Sequence, residues 1–102
     1  MNAKVIDSHC HLDFPDFEGK FDAIREAMVL RSVSHALCIS VNLAGFPRVL
    51  QLAEEYENFY ASVGIHPDQT PDQPGTDCSV SELVRLANHP KVIGIGETGL
   101  DY

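Results

Sequence analysis

Four short apolar runs punctuate the chain, and between them lie longer stretches in which apolar residues recur every three or four positions. The runs are Val5-Ile6, Ala36 to Val41, Phe59 to Ile65 and Val92 to Gly96. They are rich in β-branched residues and apolar on both parities, a pattern that predicts strands covered on both faces. In the first intervening stretch Phe17, Phe21, Ile24 and Met28 share one helical face, opposite Glu18, Lys20, Arg25 and Glu26. Val49, Leu50, Ala53 and Tyr56 do the same in the second, where Pro47 suits a first helical turn. The third opens on Ser79-Val80-Ser81-Glu82, a capping-box pattern, carries Leu83, Val84, Leu86 and Ala87, and stops at Asn88-His89-Pro90. Pro67 to Asp77, with Pro71, Pro74 and Gly75, reads as a loop.

Strand and helix alternating in this way predict βαβ units, a parallel sheet and an α/β fold. An eight-stranded α/β barrel takes about 250 residues, whereas this chain has 102. The expectation is therefore the N-terminal four strands and three helices of a (β/α)8 TIM barrel, an incomplete barrel forming a single domain over residues 1–102. Gly99-Leu100-Asp101-Tyr102 follows the fourth run directly, so the chain reads as the first part of something larger. Val92 to Gly96 would then lie on an open edge, and the chain is expected to self-associate through it.

Composition narrows the chemistry. Seven Lys plus Arg against fifteen Asp plus Glu give a formal charge of -8. Such a chain does not hold a polyanion by bulk electrostatics; contact with phosphate needs a metal or a few chosen side chains. No apolar run approaches the roughly 18 residues of a membrane span, and the first residues lack a signal-peptide layout. No membrane partner is expected. Cys10, Cys38 and Cys78 are odd in number, widely spaced and without a CxxC, which fits reduced thiols in a cytoplasmic protein.

The candidate chemistry sits at predicted strand ends, where α/β proteins bind ligands. In His9-Cys10-His11, alternation by two puts both imidazoles on one face, with Ser8 and Cys10 opposite. That is a half-site for a divalent metal. Glu97 shares the parity of Ile93 and Ile95, and Gly96 and Gly99 leave room beside it. His66 ends the third run ahead of Pro67, either as a substrate-facing residue or as a structural one. Asp101 is a candidate acceptor orienting a metal-bound histidine. Asp7 is expected to be buried beside its strand. His35 and His89 read as structural residues at helix ends. Nothing in the sequence sets a base beside Cys10 or Cys38, and no phosphate-binding loop or complete GxGxxG is present.

Val5-Ile6-Asp7-Ser8-His9-Cys10-His11-Leu12-Asp13, Ser62-Val63-Gly64-Ile65-His66-Pro67 and Ile93-Gly94-Ile95-Gly96-Glu97-Thr98-Gly99-Leu100-Asp101-Tyr102 together resemble the TatD-type metal-dependent deoxyribonucleases, amidohydrolase-like (β/α)8 barrels. Thr98 departs from the commoner isoleucine, and the family's later histidine and aspartate ligands have no counterpart here. The resemblance implies that His9, His11 and Glu97 are metal ligands, Glu97 also being catalytic and bridging ions in two-metal members. It implies that His66 lines the substrate cleft. It implies hydrolysis of DNA phosphodiesters, commonly as a 3′ to 5′ exonuclease on single strands, with divalent ions (Mg, Mn or Zn), two per complete site. Two ions about 3.5–4 Å apart activate a water and stabilise charge on the attacking and leaving oxygens. Two other readings stand beside this one: an amidohydrolase-like enzyme acting on a small amide, lactone or ester, and an inactive fragment or interaction module. Lacking the later ligands, the 102-residue chain alone is expected to show little or no nuclease activity.

Overall fold

Parallel strands alternate with helices in a computed structural model that describes residues 3–70, 72, 75–76 and 78–101. The strands are β1 (Val5–Cys10), β2 (Val33–Cys38), β3 (Phe59–Val63) and β4 (Val92–Ile95). All pair in parallel, in the spatial order β1-β2-β3-β4. The crossovers carry α1 (Phe21–Leu30), α2 (Phe46–Glu55) and α3 (Val80–Ala87), and a 3-10 turn at Pro15–Phe17 leads into the first. Sequential parallel neighbours joined by helices are the repeating unit of a (β/α)8 barrel. Of the predicted loop, Pro71, Gln73, Pro74 and Asp77 lie outside the described residues, as does Tyr102.

The helices cover one face of the sheet. Met28 from α1 and Val49, Leu52 and Ala53 from α2 pack with Leu12, Ala36, Cys38, Phe59 and Ala61. The other face carries Ile6, His35, Leu37, Tyr60 and Ile93, and it is largely bare: Ile6 is 64% and Ile93 60% exposed. The expectation of strands covered on both faces thus fails for these residues. The sheet's apolar second face matches the interior of a barrel, which other strands would have to line.

Element boundaries depart from the sequence reading in a consistent way. The second strand was expected over Ala36 to Val41 but runs Val33–Cys38. Ser32, at φ 59°, turns the chain so that Val33 can pair with Val5, three residues early. Ile39, Ser40 and Val41 leave the strand and build the rim above it, where the Ile39 N–H donates to the Cys10 carbonyl at 2.9 Å. β3 likewise ends at Val63, not Ile65, and β4 at Ile95, not Gly96. Apolar periodicity reports burial, and these rim residues are buried or half-buried without belonging to a strand.

Candidate metal centre

β1 delivers His9, and His11 follows one residue beyond its end. The register of β1 against β2 shifts between Asp7 and Cys10. Beyond that shift Cys10 packs toward the helix-side core, with its thiol donating to the Leu37 carbonyl at 3.4 Å. The two imidazoles stay together, with ring centroids 5.1 Å apart in an edge arrangement. His11 is held twice. Its Nδ1 lies 3.2 Å from the Ile39 carbonyl, and its ring stacks on Phe14 at 4.7 Å. The carbonyl can only accept, so Nδ1 is the donor there, and in the neutral ring that leaves the Nε2 lone pair free for a cation.

Glu97 arrives from the other edge. Its N–H donates to the Ser40 carbonyl at 2.8 Å, and the Gly96 N–H donates to the Val63 carbonyl at 3.0 Å. The Gly96–Glu97 peptide is cis. The Glu97 carboxylate sets Oε2 3.6 Å from His11 Nε2 and Oε1 3.9 Å from His9 Nε2. Donors around a tetrahedral cation at bond lengths of 2.0–2.1 Å sit about 3.4 Å apart. The donor atoms of His9, His11 and Glu97, all within 4.8 Å of one another, need only small adjustments to reach that spacing. Two imidazoles and one carboxylate are also a donor set used by catalytic zinc, so the residues fit a divalent cation.

His66 comes to the same carboxylate, with Nε2 3.5 Å from Glu97 Oε1. Its Nδ1 faces Asp68, whose Oδ1 lies at 2.7 Å and whose backbone N–H lies at 3.0 Å. A neutral His66 accepts the N–H there, and a protonated one donates to the carboxylate. Three histidines from two strand ends therefore surround one acid, in a chain of net charge -8. Asp101 is not brought to them: it is exposed, and among the described residues it forms no hydrogen bond or ion pair.

Other expectations need correcting. Asp7 is exposed, not buried, and its Oδ1 accepts the His9 N–H at 3.1 Å. His35 sits inside β2, not at a helix end, with Nδ1 2.9 Å from Ser34 Oγ. His89 does follow α3, where its Nδ1 accepts the Lys91 N–H at 3.0 Å. Cys38 is fully buried, and its hydrogen bond with Cys10 together with burial raises its thiol above the ordinary range, which keeps it protonated.

Two features escaped the sequence reading. Asp13 has a buried Oδ1 with no hydrogen-bond partner among the described residues. Burial pushes its carboxyl above the usual carboxylate range, against the pull of His11 and Arg48. Ser40 and Ser62, 0% and 2% exposed, form a buried polar pair beneath Glu97. Only their place in apolar runs marked them, since a serine there must find a partner.

The fold and the site define a class: a segment of a parallel α/β barrel that carries a candidate metal site. The sequence profile of the family described as TatD related DNase matches residues 6–102. The chain belongs to that family. It is 37% identical over 103 residues to the uncharacterized metal-dependent hydrolase YjjV of Escherichia coli K12, a match covering 99% of this chain and 39% of that protein. The crystal structure of YjjV superposes with a TM-score of 0.77 at 34% identity, over 95% of this chain and 38% of that one. A TatD family hydrolase from Entamoeba histolytica gives a TM-score of 0.79 at 26% identity, over all of this chain and 39% of its own. The human deoxyribonuclease TATDN3 is 29% identical over 105 residues, covering 96% of this chain and 38% of that protein. The chain thus spans about two fifths of the length of these relatives.

Proposed function

We propose that this chain supplies the first half of the active site of a metal-dependent phosphodiesterase acting on DNA. One observation carries the reading: Glu97, held at the rim after β4, turns its carboxylate to His9 and His11 across the mouth of the sheet. His9 and His11 would hold the cation through Nε2 and Glu97 through its carboxylate, with Mg, Mn or Zn as the candidate ions. A bound divalent cation supplies water activation and neutralises charge on a phosphodiester. His66 then faces the substrate, its position set by the Val41 carbonyl, which accepts its N–H at 2.7 Å.

DNA as substrate is supported by family membership and by the name of the human relative. Single-stranded preference and 3′ to 5′ polarity are part of the proposal, and their support is the family resemblance alone. A second cation per complete site, and efficient cleavage, would need donors beyond these three. His9 is 54% exposed, so the 102 residues alone are expected to bind a cation loosely and to cleave little. The free thiols of Cys10, Cys38 and Cys78 support a cytoplasmic setting, and no helix among the described residues is long and apolar enough to cross a membrane.

Calorimetric titration with Mn2+ or Zn2+ is expected to show one binding event that Glu97→Ala abolishes. Cleavage of end-labelled single-stranded and duplex DNA, by a chain carrying these residues and by its Glu97→Ala variant, tests the substrate. The variant should lose cleavage, and the 3′ label should leave first. Equal metal binding by the variant, or turnover of small amides and esters without DNA cleavage, would overturn the reading.

A further inference from the structure

Glu97 lies beyond the last residue of β4, where one remaining backbone bond, from the Gly96 N–H to the Val63 carbonyl at 3.0 Å, ties the chain to β3. A polar bridge across three strand ends adds to it. The Ser62 hydroxyl, on β3, donates to the Gly96 carbonyl at 2.8 Å and accepts the Ser40 N–H at 3.1 Å. The Ser40 hydroxyl donates to the Ser62 carbonyl at 2.7 Å. The Ser40 carbonyl in turn accepts the Glu97 N–H at 2.8 Å. Both serines are buried, and both hydroxyls donate. A buried hydroxyl left without a partner is destabilising. The pair is therefore suited to this place only while the rim of β4 lies across it.

We infer that Ser62, seated by Ser40, is a positioning residue for the cation site: its hydroxyl fixes the Gly96 carbonyl and so aims the Glu97 carboxylate at His9 and His11. The inference rests on the cation reading of those three residues. Ser62 is not a ligand; it acts through the backbone that carries one. An alanine at this position removes the donor to Gly96 and leaves the Ser40 N–H without its acceptor. Glu97 then keeps one backbone bond of its own, from its N–H to the Ser40 carbonyl, and Ser40 is held to Ser62 by its hydroxyl alone instead of by hydroxyl and N–H together.

Partners of this kind behind metal ligands typically change affinity about 10–100-fold when removed. Mn2+ titrations of the full chain test the inference, with urea unfolding run on each variant. Ser62→Ala is expected to weaken Mn2+ binding at least about tenfold. Ser40→Ala, which keeps the N–H bond to Ser62, should cost a smaller factor. Val49→Ala, a cavity on the far side of the sheet in α2, should lower the unfolding midpoint yet leave Mn2+ affinity unchanged. Wild-type affinity in Ser62→Ala, or an equal loss in Val49→Ala, would overturn the inference. If Ser62→Ala does not fold, Ser40→Ala decides alone: a loss supports the inference and wild-type affinity defeats it. Glu97→Gln separates the two levels, because unchanged Mn2+ binding there defeats the cation reading itself.

Discussion

Gly64 shows how tightly the rim is drawn. A Cβ built on it would stand 2.6 Å from the Gly96 carbonyl carbon and the Glu97 carbonyl oxygen, inside any tolerable contact. The neighbouring atoms are backbone, which cannot swing aside as a flexible side chain would. Gly64→Ala must therefore push the Gly96–Glu97 segment away from β3, and Glu97 with it. The expected result is a destabilisation of about 1–3 kcal/mol, as for other overpacked sites, with a parallel loss of Mn2+ affinity. Urea unfolding and calorimetry on the same variant check both, and full affinity at reduced stability would separate the glycine from the site. The three cluster residues themselves were legible in the sequence, because alternation puts His9 beside His11 and parity turns Glu97 the same way. Gly64 and Ser62 were not. Their roles depend on what approaches them from strands 20 or more residues away, and no local pattern encodes such an approach.

Among the elements, α3 tests how far a local signal reaches. Ser79 caps the helix as the sequence pattern predicts, its Oγ accepting the Glu82 N–H at 3.2 Å. The reciprocal half of the box does not form, because Glu82 reaches forward to Arg85, with Oε1 2.7 Å from Nη2. Packing adds little here: α3 buries no residue fully, and Val80 and Val84 are 79% and 63% exposed. A helix with so little tertiary support should depend on its cap. Ser79→Ala is expected to lower stability by about 1 kcal/mol, read as a fall in urea midpoint at unchanged slope, whereas Ser81→Ala should change little. The strand boundaries were harder to read than the helices. Ile39 to Val41 are as apolar as the residues before them, yet they form the rim that anchors Glu97 and His66. Hydrophobicity alone does not distinguish a buried strand from a buried rim.

For the whole molecule, the radius of gyration is 14.4 Å and the extents are 46 × 28 × 26 Å. A closed globule of this length would have a radius of about 13 Å. The excess agrees with a sheet covered on one side, and the parallel topology with its open edge was legible from the count of runs. That the second face would stand bare was not, since strands apolar on both parities look the same whether or not the partner layer is present. Val5, Ile6, Ile93 and Ile95 are all more than half exposed on or beside the outer strands. A second copy of the chain is proposed to cover them, against the repulsion of two bodies that each carry a net charge of -8. Screening shortens the reach of that repulsion to about 8 Å at 0.15 M salt and about 3 Å at 1 M. Sedimentation equilibrium should therefore show association that grows with concentration and with added salt. Ile93→Lys, which puts a cation into the apolar face beside Tyr60, should shift the population to monomer at every salt concentration. A monomer throughout the range in the unaltered chain, or association that weakens as salt is added, would show that charge contacts and not this face govern any pairing.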